Sequence, residues 1–297
     1  MMSDLPLDQV RTLLAVVDEQ SFDRAAAVLH VTPSAVSQRV KALEQRLGRV
    51  LILRTKPVRL TGSGQVVVRF ARQLTRLEED TRAELGLVGA AGPVTLPIAV
   101  NADSLATWFL PALAAVPGVG SAPAVAFDLH SEDQDHTATL LREGLVMAAV
   151  TSAPNPVQGC TSTRLGRMRY RAVASPAFVA RWLMDRPLPE ALPAAPAVLF
   201  GRKDELQDRF LRGLTRRGAT GVRHFVPSSE SFVDAVAAGL GWGMVPELQH
   251  RADELVDLAP DHPADVPLYW QQWKLDSPAL ATVAAAVVAA AATALRQ

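Results

Sequence analysis

The sequence contains one cysteine, Cys160, which excludes an intramolecular disulfide and a cysteine-cluster zinc site. Its six histidines are scattered, so we predict no metal site and no cofactor. The G-x-S-x-G, P-loop and G-x-G-x-x-G motifs of common enzymes are missing, so we predict no catalytic residues and no enzyme. The longest apolar run, residues 279–295, is mostly alanine and predicts a packed helix rather than a membrane span. The N-terminus lacks the apolar core of a signal peptide, so we expect a cytoplasmic protein.

The formal net charge is zero over 297 residues, a length that suggests about two domains, but the charges are segregated. Residues 20–76 hold eleven basic and two acidic residues, a net charge of +9, whereas residues 93–297 carry −3. A basic module on a mildly acidic body predicts a polyanion partner for the first part. The alternative is an ordinary solvated charged surface.

The first 60 residues have the pattern of a helix-turn-helix followed by a wing. Three short helices are predicted at residues 7–18, 22–30 and 33–47, with the last two joined by a tight turn. Their ends are marked by capping residues, namely Ser21, Thr32 with Pro33, and Gly48. The third helix buries Val36, Val40 and Leu43 and leaves a polar face that suits the major groove of double-stranded DNA. The strand-like runs VLILRT and KPVRL then predict a hairpin whose cations reach phosphates.

The candidate DNA-binding residues lie on this helix and hairpin. An ordinary solvated face is the alternative for the helix. The set comprises Thr32, Ser34, Ser37, Gln38, Arg39, Lys41, Arg54, Lys56 and Arg59.

A long helix is predicted from Gly62 to Leu87, capped by Thr61. Its single apolar stripe has nothing else local to pack on, which favours pairing with a second copy of the chain, and packing on its own domain is the alternative. The predicted dimerisation residues are Phe70, Leu74, Leu77 and Leu85. The segment GAAGP at residues 89–93 then predicts a linker.

The rest of the chain alternates short strands and helices, which predicts an α/β domain with a parallel sheet. Two successive sets of these units suggest two halves with a cleft between them for a small ligand.

The stretch SFDRAAAVLHVTPSAVSQRVKALEQRLGRVLILRT resembles the DNA-binding region of LysR-type transcriptional regulators, and AAGLGWGMVPE resembles a segment of their effector domain. The resemblance implies a winged helix-turn-helix (1–61), a linker and dimerisation helix (62–92) and a two-lobed, periplasmic-binding-protein-like effector domain (93–297). Lobe one would comprise about 93–160 plus 266–297, and lobe two about 161–265. It also implies homodimers or tetramers and contact with RNA polymerase. Pro33 and Arg39 stand where many members carry Gln, so no operator sequence is predicted.

A closer resemblance is to the ArgP and LysG branch of that family, through NADSLATWFLP, SED, SSESF and LYW. Membership of that branch implies promoter control in response to lysine, arginine or histidine, and regulation of a basic amino-acid exporter. Some members were also described as inhibitors of chromosome initiation, which leaves a replication-inhibiting or architectural protein as the alternative. A further alternative is an α/β enzyme with an appended DNA-binding module.

A basic amino-acid effector needs a site for its carboxylate and a carboxylate for its side-chain cation. We expect the effector carboxylate at the helix start near Asp103 and Ser104, with help from Ser229, although Ser104 could merely cap its helix. We expect the cation at Glu132 or Asp133, which follow a strand end, or at Asp204. The candidate effector-binding residues are Asp103, Ser104, Glu132, Asp133, Thr151, Asp204, Ser229 and Glu230.

Overall fold

The computed structural model describes residues 5–85, 94–117, 125–132, 134–184, 186–216 and 218–297. Its first part is a three-helix unit followed by a hairpin and a long helix. These elements are α1 (Leu7–Asp18), α2 (Phe22–Val28), α3 (Pro33–Leu47), β1 (Ile52–Leu53), β2 (Arg59–Leu60) and α4 (Gly62–Glu84). The antiparallel β1–β2 pair confirms the predicted wing, although each strand has only two residues. The predicted last turn of the long helix, to Leu87, lies outside the described residues.

Side-chain caps set the ends of these helices. The Ser21 hydroxyl accepts a hydrogen bond from the Arg24 N–H, and the Thr32 hydroxyl accepts one from the Ala35 N–H, so both predicted caps are confirmed. Gly48 ends α3 with a φ of 62°, a left-handed conformation that glycine adopts without steric cost.

The inner face of α3 forms the centre of the three-helix unit. Val36, Val40 and Leu43 are fully buried, as predicted. The neighbouring Glu44 carboxylate accepts a hydrogen bond of 2.8 Å from the Leu51 N–H, which ties α3 to the start of the wing. The opposite face of α3 is therefore held outward in a fixed relation to the hairpin.

The second part contains nine strands and eight helices among the described residues. The strands are β3 (Val94–Asn101), β4 (Val125–Glu132), β5 (Ala148–Thr151), β6 (Cys160–Ala174), β7 (Ala197–Leu199), β8 (Arg223–Phe225), β9 (Gly243–Pro246), β10 (Val256–Asp257) and β11 (Ala264–Trp273). The helices are α5 (Ala102–Ser104), α6 (Leu110–Ala114), α7 (Gln134–Glu143), α8 (Pro176–Trp182), α9 (Leu188–Ala191), α10 (Leu206–Leu214), α11 (Ser229–Ala237) and α12 (Pro278–Ala294). A π-helical turn, Leu105–Phe109, joins α5 to α6, and 3-10 turns lie at Leu192–Ala194 and Glu247–Gln249.

The main sheet is mixed rather than parallel, so that part of the prediction is wrong. Its strand order is β10-β6-β11-β5-β3-β4, and β9 also pairs with β6. The parallel pairs in this sheet are β3 with β4 and β3 with β5. The two long strands β6 and β11 pair with each other in antiparallel orientation, which makes the sheet mixed. We call the side built on β3, β4 and β5 lobe one and the side built on β7, β8, β9 and β10 lobe two. Strands β6 and β11 run through both lobes.

Helix α4 packs on two neighbours. Val67, Val68 and Ala71 are buried in the core of the three-helix unit. Gln65 donates a hydrogen bond of 3.1 Å to the Glu143 carboxylate at the end of α7. The expectation that this helix has nothing local to pack on is therefore wrong, because its apolar residues occupy two faces. Part of the predicted stripe nevertheless stays exposed, namely Phe70, Leu77 and Leu85, with Leu74 half-buried.

The alanine-rich helix α12 packs against lobe one, as predicted. Its residues Leu280, Val283, Val287 and Ala291 are fully buried in the main core. Among the described residues, no helix combines the length and the apolarity needed to cross a bilayer.

Candidate functional site

The outer face of α3 and the hairpin form a cationic surface. Eight of the nine predicted DNA-binding side chains are polar groups on that face or wing and are exposed or half-buried, and Thr32 lies exposed at the start of α3. Over the part of the chain that the structure describes, none of the basic members of this set forms an ion pair with an acidic side chain. Unpaired cations on one face attract a polyanion, so the surface suits the DNA backbone.

Two contacts orient this surface. The Arg54 guanidinium lies 3.4 Å from the Ser37 hydroxyl and 5.5 Å from the centre of the Phe22 ring. The Thr32 and Ser34 hydroxyls are 2.9 Å apart at the start of α3. The wing cation is thus held beside the helix that would enter the groove, where it can meet the flanking phosphates.

A cavity of about 300 Å³ lies between the two lobes. That volume suits a ligand of amino-acid size. The residues around it come from both lobes and from the two crossing strands. They include Asn101, Ala102, Asp103, Ser152, Tyr170, Phe200, Lys203, Asp204, Glu205, Leu206, Arg209, Phe232, Met244, Pro246, Asp265, Val266 and Pro267.

Asp103 is one of the carboxylates that line this cavity. It is half-buried in lobe one, and it accepts hydrogen bonds of 2.7 Å from the Tyr170 hydroxyl and 2.7 Å from the Ser229 hydroxyl. Among the described residues, no lysine, arginine or histidine forms an ion pair with it. A carboxylate that is taken out of water without a counter-ion favours a cationic ligand.

The surroundings of Asp103 change its protonation. Burial raises the pKa of this carboxyl above its ordinary value, and the negative charge of Asp204 raises it further. The hydrogen bonds from Tyr170 and Ser229 act in the opposite direction. A cation bound at Asp103 would favour the ionised form and so lower this pKa.

Asp204, one of the candidate effector-binding residues, also lines the cavity. Its two carboxylate oxygens accept hydrogen bonds from the backbone N–H groups of Phe200 at 3.0 Å and Leu206 at 2.9 Å. The carboxylate is therefore fixed at the start of α10, with Lys203 and Arg209 beside it on the cavity wall.

The structure corrects the expectation for Ser104 at the first helix. Ser104 is fully buried and does not cap the helix, because α5 begins at Ala102 with Asn101 at the N-cap position.

Asn101 is a cavity residue that the sequence did not single out. Both of its amide atoms are buried without a hydrogen-bond partner among the described residues. The Ser229 hydroxyl contacts Asp103 and is therefore engaged by a carboxylate within the protein.

Two further predicted effector residues, Thr151 and Glu230, are not among the residues that line the cavity. Thr151 is buried and accepts a hydrogen bond from the Ala153 N–H at 3.2 Å, while its neighbour Ser152 lines the cavity. Glu230 is exposed and lies outside the lining. Asp133 and the side chain of Glu132 lie outside the described residues.

Comparison with known proteins yields a consistent group of relatives. A profile for the bacterial regulatory helix-turn-helix protein of the lysR family matches residues 7–65, and one for the LysR substrate binding domain matches residues 94–292. The lysine export transcriptional regulatory protein LysG of Corynebacterium glutamicum is 45% identical over 97% of this chain and 98% of its own length.

Two solved structures are similar over nearly the whole chain. The crystal structure of ArgP from Mycobacterium tuberculosis is 48% identical, with a TM-score of 0.88 over 97% of this chain and 98% of that one. Full-length LysG from C. glutamicum with bound effector arginine is 42% identical, with a TM-score of 0.84 over 98% of this chain and 100% of that one.

Proposed function

This chain belongs to the LysR family of bacterial transcription regulators, and we propose that its promoter activity responds to arginine or lysine bound between the lobes. The observation that carries the proposal is the Asp103 carboxylate, which faces the cavity without a cation partner among the described residues. The basic amino-acid regulators among its relatives, one of which binds arginine as its effector, support this ligand class. The target promoter is that of a basic amino-acid exporter.

The charges around the cavity suggest how such a ligand lies. Its side-chain cation meets Asp103 and is further attracted by Asp204, because an unpaired buried cation would cost several kcal/mol. Its α-carboxylate lies toward Lys203 and Arg209, and Asn101 supplies a donor and an acceptor for the amino-acid end. This arrangement replaces Ser104 and Ser229 as the proposed anchors of the carboxylate.

The same arrangement couples the ligand to DNA. Asp103 belongs to lobe one and Ser229 to lobe two, so a ligand at Asp103 favours one relative orientation of the lobes. A change in that orientation alters the spacing of paired DNA-binding modules and their contact with RNA polymerase. The regulator acts in the cytoplasm as a dimer, formed through α4, or as a tetramer that also uses the effector halves.

The two alternatives receive less support. The relatives of this chain are named as transcription regulators, which favours a regulator over an enzyme. A replication inhibitor or architectural protein that acts without an effector would not require a cavity lined by a carboxylate that lacks a cation partner.

The decisive experiment is calorimetric titration of the full-length protein with the twenty amino acids and with citrulline. Citrulline has the shape of arginine but no positive charge. We expect arginine and lysine to bind and citrulline to bind at least tenfold more weakly, on the order of 1–3 kcal/mol for the lost charge-assisted hydrogen bond. Equal binding of citrulline and arginine would contradict a carboxylate-based site.

We expect the affinity for arginine to fall as the pH is lowered. Arginine requires ionised Asp103, whose pKa is raised by burial in the free protein, so binding expels a proton from the protonated fraction. The affinity is full above this raised pKa and falls about tenfold per pH unit below it. Calorimetry in two buffers of different ionisation enthalpy measures the proton release directly. A pH-independent affinity with no proton release through the acidic range would rule out Asp103 as the cation site.

We expect substitutions on the DNA-binding surface to fall into two classes. Arg54→Ala should weaken binding to all sequences alike and reduce the salt dependence, since it removes a phosphate contact. Gln38→Ala and Arg39→Ala should instead relax base preference, by roughly 1–3 kcal/mol per lost base contact. Fluorescence anisotropy on operator and scrambled DNA distinguishes the classes, with the exposed Arg216→Ala as a control for charge alone. Full sequence preference in the Gln38 and Arg39 variants would refute the assignment of α3.

A further inference from the structure

The 3-10 turn Glu247–Gln249 reaches the cavity from lobe two. It follows Pro246, which lines the cavity, and the amide oxygen of Gln249 lies 2.9 Å from the Ser229 hydroxyl. The hydroxyl carries one proton, so it can donate either to this oxygen or to the Asp103 carboxylate. Turning the Gln249 amide end for end brings its nitrogen to Ser229, and in that orientation Gln249 donates to Ser229 while Ser229 donates to the ionised carboxylate.

The other end of this turn is fixed by two arginines. The Glu247 carboxylate accepts hydrogen bonds from Arg171 at 2.6 Å and from Arg296 at 2.8 Å. These contacts hold the pKa of Glu247 below its ordinary value, so it stays ionised throughout the neutral range. Arg171 lies on the crossing strand β6, whereas Arg296 follows α12 of lobe one. The Arg296 contact therefore joins the two lobes.

The backbone of Arg296 is itself anchored where β6 passes between the lobes. Arg167 and Arg296 exchange two backbone hydrogen bonds of 2.7 and 3.0 Å. The adjacent Gly166 has a φ of 136°, and a side-chain carbon there would come within 2.8 Å of the Arg296 carbonyl oxygen. Only glycine allows this close approach. The backbone of Arg296 is therefore fixed, and its side chain extends toward Glu247 from a fixed point.

We propose that Arg296 and Glu247 are positioning residues for the effector site. Their ion pair holds Gln249 against Ser229, and Ser229 in turn donates to Asp103 in the opposite lobe. Neither residue touches the ligand. The expected effect of this ion pair on ligand affinity rests on the proposed basic effector. Its expected effect on the pKa of Asp103 can be measured without any ligand.

The physical consequence of breaking the pair follows from the groups that face Asp103. These are the Tyr170 and Ser229 hydroxyls, which stabilise the ionised carboxylate, and the Asp204 carboxylate, which opposes ionisation. Without Arg296 the Glu247 carboxylate is held by Arg171 alone, so the turn is fixed less firmly and Gln249 supports the Ser229 hydroxyl less well. The carboxylate then loses part of a donated hydrogen bond, so its pKa rises and its hold on a cation weakens.

The test compares wild type, Arg296→Ala, Arg296→Lys and Arg223→Ala in the full-length protein. Arg223 is a matched control, because it forms an exposed two-bond pair with Asp208 within lobe two, away from the turn. Arginine affinity is measured by calorimetry, and the Asp103 carboxyl is titrated by carbon-13 NMR without arginine. Arg296→Ala should weaken arginine binding roughly five- to tenfold, as expected for one lost hydrogen bond, and raise the pKa of Asp103. Arg296→Lys should keep the arginine affinity and the pKa of Asp103 close to their wild-type values. Arg223→Ala should change neither quantity.

Two results would overturn the inference. One is a pKa of Asp103 in Arg296→Ala equal to that in the wild type, and the other is a change of this pKa in Arg223→Ala as large as that in Arg296→Ala. If arginine fails to bind the wild type, the proposed effector is wrong, while the titration of Asp103 still decides the positioning role. Thermal melting by circular dichroism checks the fold of each variant. Should Arg296→Ala unfold, Glu247→Gln takes its place, because the neutral amide keeps the size of the side chain and weakens both pairs. It should then raise the pKa of Asp103 in the same direction.

Discussion

Asp103→Asn is expected to weaken arginine binding by roughly 30-fold or more, which corresponds to at least about 2 kcal/mol for truncating one partner of a desolvated charge pair. The amide keeps the size of the side chain and can still bond with Tyr170 and Ser229, so the fold should be retained. It cannot supply the negative charge that a guanidinium needs once both are removed from water. Calorimetric titration with arginine measures the loss.

Two controls make this result specific. Glu230→Gln removes an exposed carboxylate from α11 outside the cavity lining and should leave the affinity for arginine unchanged. In Asp103→Asn the preference for arginine over citrulline should also collapse, because both ligands then face a neutral amide. A variant that keeps both its affinity and this preference would place the cation at Asp204 or elsewhere.

The first 60 residues could be predicted well because their signals are local. The cap at Thr32 and the glycine at Gly48 mark the ends of α3 within the sequence itself, and the spacing of its apolar residues identifies the buried face. The wing was harder to predict in detail. Its strands are short because Glu44, seven residues before Leu51, supplies one of the hydrogen bonds that a longer ladder would otherwise make.

The cavity could be predicted only in part. Asp103 and Ser229 were both identified as effector residues, but their contact joins positions 126 residues apart and no local pattern reports it. Tyr170 was missed because the alternating pattern of its strand indicates only which side chains are buried. It does not show that the buried Tyr170 hydroxyl donates to the Asp103 carboxylate. Asn101 was missed because an asparagine at a helix start is normally explained by capping, whereas here its side chain makes no cap bond.

Leu77→Glu is expected to break the α4 dimer and to reduce operator affinity by on the order of a hundredfold or more, since the second DNA-binding module no longer adds to the first. Leu77 is 46% exposed in the protomer, so the charge can be solvated in the monomer and the fold should survive. In a paired helix the same charge would be buried in an apolar seam, which costs several kcal/mol. Analytical ultracentrifugation measures the association, and anisotropy measures DNA binding.

Exposure alone does not identify an interface, so the control is another exposed leucine. Leu240 is 44% exposed and lies beyond α11, far along the chain from α4. Leu240→Glu carries the same change of size and charge and should leave the α4 dimer intact. Phe70 and Leu85 share the exposed stripe with Leu77, so Phe70→Glu should reproduce its loss of association. Wild-type sedimentation of both stripe variants would place the interface on another surface and leave α4 as a helix that packs within its own protomer.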